Sequence, residues 1–268
     1  MEVHAHTHLA SGETHAERKK FTHYLWEFLM LFLAVFCGFL AENFREHQVE
    51  KNRAKEYAIS MINDLGSDIT DLKSYISYMS YASHNIDTLL ELLSNNDPKN
   101  IPSGKLYWFG LWGGAPRTFV PNDATLQQLK SSGSLRYFSN KLINHEVAQY
   151  DQLCRRMKSF EENDMLIYAE VRKIRGQIFE FRYNAAANDI VQRNIRSFDR
   201  TIIDSFIASN PRLLTYDKTI FNQYIELVRS RFIERKVTLA DTLLNRAAVL
   251  LGDLKKEYHL PERISLDK

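Results

Sequence analysis

Apolar positions are distributed along this chain in two different ways. Between Phe21 and Ala41 (FTHYLWEFLMLFLAVFCGFLA) they are nearly continuous: Phe28 to Ala41 carries no charge, and Phe21 to Trp26 extends the run on the other side of Glu27. A helix over this stretch reaches roughly 31 Å at about 1.5 Å per residue, enough to cross a hydrocarbon layer of about 30 Å. Glu27 lies within two turns of the end, where a carboxyl reaches the interface or sits protonated, and Tyr24 and Trp26 supply interfacial rings. The stretch is therefore expected to be a membrane-spanning helix. A cleaved leader is the competing reading, because Arg18, Lys19 and Lys20 precede the apolar core. Its chemistry fits poorly: Phe39 stands where cleavage wants a small residue, and Phe36 precedes Cys37 where a lipoprotein leader wants Gly or Ala.

Beyond the span, apolar residues recur at helical spacing instead. Glu42 to Lys55 is charged on nearly every face, as a solvated helix would be. The stripe Ile62, Leu65, Ile69, Leu72, Ile76, Met79, Ser83, Ile86, Leu90, Leu93 then alternates steps of three and four, a heptad seam that packs lengthwise on other helices. A helix from Phe44 to Ser94 would extend about 75 Å. A second long helix is expected over Ser139 to Tyr183, on Ile143, Val147, Tyr150, Cys154, Met157, Phe160, Tyr168, Val171 and Ile178. A third is expected over Tyr216 to Tyr258, through Ile220, Tyr224, Leu227, Leu239, Leu243, Leu250 and Leu254, ended by Pro261. Between them, a short helix starts at Asn122 or Asp123, or at a Thr125 to Gln128 capping box, and closes at Gly133. Residues 184–215 read as short turns that break at Asn210 and Pro211. The expected fold class is all-α: one N-terminal transmembrane helix continuing into an elongated antiparallel bundle of three long helices plus short ones. The domain reading is a disordered His-containing tail at 1–20, the transmembrane helix at 21–43, the bundle at 44–260 and a C-terminal tail at 261–268.

One region interrupts the helical pattern. Residues 95–133 hold four of the six prolines and five of the ten glycines, and the stretch 95–121 is expected to be an aromatic loop or short hairpin. It carries Tyr107, Trp108, Phe109, Trp112 and Phe119, which are the candidate binding residues. Aromatic anchors of this kind dominate binding hot spots; the competing reading is that they cap the end of the bundle. Gly110, Gly113 and Gly114 argue against a stable helix here. On that basis Trp108, in the more apolar Leu106 to Leu111, is expected to be buried and Trp112 the more exposed.

Composition removes several function classes. The 268 residues carry 35 bases and 33 acids, a net charge of +2 spread along the chain, which gives no electrostatic case for nucleic acid. Cys37 lies in the span and Cys154 outside it, so no internal disulfide is expected. There is no Gly-rich phosphate loop, HExxH, GxSxG or CxxC. Glu161, Glu162 and Asp164 read as a solvated helix face, and His84, His145 and His259 as isolated surface or packing residues. No enzyme activity and no cofactor are expected. In the tail, His4, His6 and His8 alternate, which in an extended segment places three imidazoles on one side, a geometry for Zn²⁺, Ni²⁺ or Cu²⁺. No acid or cysteine completes such a site nearby, so histidines without a ligand role are the alternative.

The runs HYLWEFLMLFLAVFCGFLAENFREH and EYAISMINDL, covering residues 23–65, and the shorter TLQQLKSSGSLRYFSN resemble a family of uncharacterised single-span membrane proteins common in Bacteroidetes-type bacteria. The resemblance implies an anchor followed by a helical domain and supplies no catalytic residues. Two function classes follow. One is a structural or scaffolding protein of the bacterial inner membrane that associates with itself or with other membrane and envelope proteins, its domain in the periplasm. The other is a ligand-sensing extracytoplasmic module that signals through a partner, since a tail of about twenty residues carries no output domain.

Overall fold

The computed structural model describes residues 14–115, 117–194 and 199–261; His4, His6, His8 and the tail beyond 261 lie outside the described residues. Among them every regular element is helical, in the order α1 (Thr14–Asn95), α2 (Ser103–Gly113), α3 (Ala124–Ser131), α4 (Lys141–Ile178), α5 (Phe181–Asn194), α6 (Arg200–Ala208), α7 (Lys218–Ser230) and α8 (Ile233–Glu257), with single 3-10 turns at Pro98–Asn100 and Ser134–Tyr137. The chain divides into two compact units, Met1–Lys55 and Glu56–Lys268, and α1 contributes to both. Because α1 starts at Thr14, residues 14–20 are helical rather than part of a disordered tail.

In the first unit the apolar stretch of α1 has no protein around it. Its most apolar window has a mean hydropathy of 2.0 and none of that window is buried. Phe28, Phe32 and Phe36 stack along one side, at centroid separations of 6.3 and 5.9 Å. His23 meets Glu27 one turn on, at 3.1 Å. This is the one helix among the described residues that is long and apolar enough to cross a membrane.

The second unit buries its core along the rest of α1, and the seam keeps half of its expected phase. Ile62, Leu65, Leu72, Met79, Ile86 and Leu93 are buried as the spacing predicts. The alternate positions fall one residue earlier than expected: Asp68, Tyr75, Ala82 and Leu89 are buried, and Ile69, Ile76, Ser83 and Leu90 flank them half-exposed. A hydropathy reading selects Ile69 over Asp68 and Ile76 over Tyr75; the fold selects the polar residues because each has a bonding partner inside.

α4 packs along α7 and α8, while α2 packs against α5 and α6. Side chains set several helix starts. Asn140 caps α4 by accepting from the Leu142 N–H at 2.9 Å, and Asp199 and Asp217 cap α6 and α7 in the same way. α3 starts directly after Asp123, one of the expected positions, and ahead of the Thr125 to Gln128 box; Asp123 makes no side-chain cap bond, and the Thr125 N–H donates to Asp64 of α1 at 3.2 Å. Gly133, at φ 68°, ends the α3 region as expected.

The expected third long helix is two helices. Phe232 sits in the left-handed region (φ 50°, ψ 42°) between α7 and α8, a conformation that costs a non-glycine residue about 1–2 kcal/mol. The reason lies in the phase of the buried positions. Phe221, Tyr224, Val228 and Arg231 form one helical stripe, and Ile233, Lys236, Ala240, Leu243 and Ala247 form another. The step of two from Arg231 to Ile233 would put them on nearly opposite sides of a continuous helix. The break turns both inward. α4 likewise ends at Ile178, ahead of the expected Tyr183, because Phe179 becomes extended (φ −106°, ψ 125°) and inserts its ring into the core.

The corrected seam is testable by truncation. Leu72→Ala, at a fully buried position, should destabilise the full chain in detergent by about 2–5 kcal/mol. Ile69→Ala should cost less than half as much. Equal shifts of the thermal midpoint would restore the original phase.

Candidate functional site

The candidate aromatic residues do not sit in a loop. Most belong to α2, which is predominantly apolar and, apart from Lys105 and Phe109, buried along its length, as a helix surrounded by others must be. The glycines that argue against a helix in water serve close packing inside the fold. A Cβ at Gly104 would strike the Ile207 backbone, at Gly110 the Phe179 ring, and at Gly113 the Tyr224 side chain. Tyr107, Trp108 and Phe119 are buried and Phe109 is half-exposed. Trp112, expected to be the exposed ring, is 1 % exposed and Trp108 2 %. Trp112 packs edge-on against Tyr81 at 4.9 Å and lies 5.7 Å from Tyr78 and 6.1 Å from Trp108; its indole N–H has no acceptor. The Tyr107 hydroxyl donates to the Arg212 carbonyl and accepts from the Glu180 N–H, both at 3.0 Å, tying three segments together.

After α2 the chain retraces α1 toward lower residue numbers. Arg117 donates to the Ser74 hydroxyl at 2.7 Å and its guanidinium stacks over Tyr78. Phe119 packs edge-on against Tyr75. Both the backbone and the side-chain amide of Asn122 donate to Asp68 at 2.7 Å, and the Tyr150 hydroxyl donates to the other Asp68 oxygen. Burial pushes the Asp68 carboxyl above the ordinary range despite these three donors, and nearby Asp64 adds to the effect. Beside it, burial pushes the Cys154 thiol up to about 12, so at neutral pH it is a packed thiol and a poor nucleophile.

The densest polar group lies where α1, α4 and the α7–α8 break come together. Arg231 makes a two-pronged bond to Asp164 (Nε to Oδ1 2.8 Å, Nη2 to Oδ2 2.7 Å). The same guanidinium donates to the carbonyls of Gly113 at 2.6 Å and Ala115 at 3.1 Å, at the end of α2. Lys236 donates to Asp164 at 2.7 Å and to Glu161 at 3.4 Å, and the Tyr75 hydroxyl donates to Glu161 at 2.7 Å. Burial alone would raise the Asp164 carboxyl; the Arg231 bond and charge, with Lys236, outweigh it and hold it below the ordinary range. Two cations face two anions, so the cluster is neutral in sum. Burial is also the main cause of the upward shift of the Tyr75 phenol, with Glu161 adding to it.

These residues correct the expectation of a solvated acidic face: Glu161 and Asp164 are core groups, and of that trio only Glu162 is exposed. A periodic signal was present. Met157, Glu161, Asp164, Tyr168 and Val171 follow steps of four and three, so the acids fall in phase with apolar neighbours. Chemically the cluster can hold elements together, because Lys236 is 0 % exposed and its partners leave no face to a solute. His84, His145 and His259 are on the surface. Among the described residues, no group of three or more His, Cys, Asp or Glu side chains comes together as a metal site. No family model, curated protein or solved structure matches this chain.

Two outcomes test the interior as described. Trp108→Ala and Trp112→Ala should each lower stability by about 3–5 kcal/mol, read as shifts of the denaturant midpoint; a Trp112→Ala midpoint near wild type would place that ring outside the core. For the charge cluster, Arg231→Met leaves Asp164 short of its main counterion and should cost about 3–5 kcal/mol. The pH sign follows from the lowered Asp164 carboxyl. Its contribution is complete above the unfolded value near 3.8 and is lost as pH falls through the lower folded value. Asp164→Asn should therefore be destabilised at pH 7 and lose part of the wild-type decline in acid; an unchanged acid limb would contradict the assignment.

Proposed function

We propose that this chain is a single-span protein of the bacterial inner membrane whose helical domain serves a structural or scaffolding role, through association with itself or with other membrane and envelope proteins. One observation carries the reading: an apolar stretch wholly free of protein contact is joined to a domain whose densest polar groups are spent on each other. A core helix of a soluble protein would bury that stretch; lipid is the surrounding that suits Phe21 to Leu40 as they stand. The Arg231–Asp164–Lys236–Glu161 cluster favours a holding role over catalysis, because its charges are paired and its residues enclosed. The resemblance of residues 23–65 to single-span membrane proteins points the same way.

Charge around the span supports an orientation. Arg18, Lys19 and Lys20 abut it, whereas Arg45, Lys51, Arg53 and Lys55 are spread out with acids between them. Proximity favours an inside amino terminus and a periplasmic domain.

The test has two parts. The full chain should stay in the membrane fraction through alkaline carbonate and be released by detergent. With a cysteine at the exposed Asn96 in a Cys154→Ala background, an impermeant maleimide should label intact spheroplasts. Carbonate release would remove the span, and labelling only after lysis would reverse the topology. Native mass spectrometry of the detergent-solubilised protein should then show multiples of the 31.3 kDa chain or a second polypeptide; a stoichiometric small molecule on a lone chain would favour the sensing module instead.

A further inference from the structure

The chain leaves α2 through Gly113, Gly114 and Ala115, and arginine side chains gather around this exit. Arg231 is fully committed there, to the carbonyls of Gly113 and Ala115 and to Asp164. Its guanidinium lies 5.3 Å from the centre of the Tyr168 ring, and that of Arg172 lies 5.7 Å from the same ring. Arg175 follows at a step of three, which keeps Tyr168, Arg172 and Arg175 on one face of α4. Its head rests against Gly114, where a Cβ would strike Arg175 Nη1. Two residues beyond Ala115, Arg117 lies 5.3 Å from the centre of the Tyr78 ring, which is 5.7 Å from that of Trp112, the residue before Gly113.

Charge around this exit is not balanced. Among the described residues, Arg117, Arg172 and Arg175 form no ion pair, and the Arg117 bond to the Ser74 hydroxyl is the one side-chain hydrogen bond that the three make. Acids of α4 are committed elsewhere: Glu170 pairs with Lys173 at 2.6 Å, and Asp164 is held by Arg231 and Lys236. Arg117 and Arg175 are half-buried, so their charges have given up part of their water without gaining a carboxylate. A guanidinium in that state has donors to spare, and its planar fork matches the oxygens of a phosphate.

We propose that Arg117, Arg172 and Arg175 form an anion site at the exit of α2 that binds a phosphate group carrying two negative charges, as in inorganic phosphate or a phosphatidate headgroup. A dianion offsets two of the three cations, a carboxylate only one. Gly114 is what admits Arg175. Its backbone (φ −106°, ψ 21°) lies at negative φ, which a residue with a side chain adopts, so the missing Cβ provides space rather than conformational freedom. The site goes beyond the scaffolding role and does not depend on it.

The experiment is isothermal titration of the full chain in detergent micelles with inorganic phosphate at pH 8, at an ionic strength held constant with chloride. One phosphate should bind per chain. Arg172→Gln and Arg175→Gln should each weaken binding about tenfold, the loss of one charge-assisted contact. Gly114→Ala alters no charge, yet its methyl displaces the Arg175 head and should weaken binding about tenfold too. Arg156→Gln removes an exposed arginine stacked on Phe160 elsewhere on α4 and should bind as the wild type does. Because Arg172 is exposed, its variant should keep the wild-type melting midpoint, which separates lost binding from lost folding. A second arm counts phosphatidate retained on the chain by native mass spectrometry after release from phosphatidylcholine nanodiscs containing phosphatidate. Retention that the same variants lose, without binding of free phosphate, would assign the site to a lipid headgroup. No binding in either arm would overturn the proposal. So would wild-type binding in Gly114→Ala and Arg172→Gln, or an equal loss in Arg156→Gln.

Discussion

Arg231 is the residue on which the packing of the domain depends. Its guanidinium holds Asp164 of α4 with two bonds, takes two carbonyls at the end of α2 with its remaining donors, and lies over the Tyr168 ring. Few side chains can meet a carboxylate and two carbonyls from one rigid plane; Arg does so because its donors form a fixed fork that stays charged at any ordinary pH. The consequence reaches the backbone. Arg231 and Ile233 both point inward only if the helix changes phase between them, and Phe232 takes the left-handed conformation that makes this possible. The local strain, about 1–2 kcal/mol, is small against the several kcal/mol that an unpaired buried charge would cost.

The same logic explains the neighbouring polar groups. Asp164 would be costly in the interior with Arg231 alone half-committed to carbonyls, and Lys236 supplies the balancing charge one turn into α8. Glu161 then balances Lys236 and takes the Tyr75 hydroxyl, which brings α1 into the network. Along α1, Asp68 and Asp64 receive the chain that retraces the helix after α2 and place the start of α3. A buried ionic network of this kind contributes little net stability compared with apolar side chains of equal volume. What it fixes is position, since each donor is satisfied by one particular acceptor on another element.

Much of the architecture was legible in the residues alone. The apolar stretch from Phe21 to Ala41 needs no tertiary partner to be recognised, because its length and lack of charge follow directly from its own composition. Helical periodicity likewise located α1, α4 and α8, with part of the α1 seam and most of the buried positions of α4 and α8: Leu65, Leu72, Met79, Val147, Leu243 and Leu250 are buried where the spacing puts them. The end of the α3 region at Gly133 and the break at Asn210 and Pro211 were also readable, since glycine and proline act through local backbone preferences.

Tertiary structure decided the rest, for identifiable reasons. Hydropathy assigns Asp68, Glu161, Asp164 and Lys236 to the surface, and only partners far away in sequence make their burial tolerable; for Glu161 and Asp164 the heptad phase on which they fall was the available signal, whereas Asp68 lies one residue off the seam that spacing selects. The break at Phe232 is invisible to a stripe that skips from Leu227 to Leu239, because the side chain that requires it, Arg231, is itself polar. The glycines of α2 weaken a helix considered alone, yet Phe179, Ile207 and Tyr224 come so close that no Cβ fits there. Thus the sequence by itself determined where the long helical stretches run and which stretch suits lipid, both properties of local composition, and it left α2 as a loop and α7 and α8 as one helix. The fold alone determined which polar residues are inside and which aromatic rings face no solvent, because those depend on contacts between residues as far apart as Gly113 and Arg231.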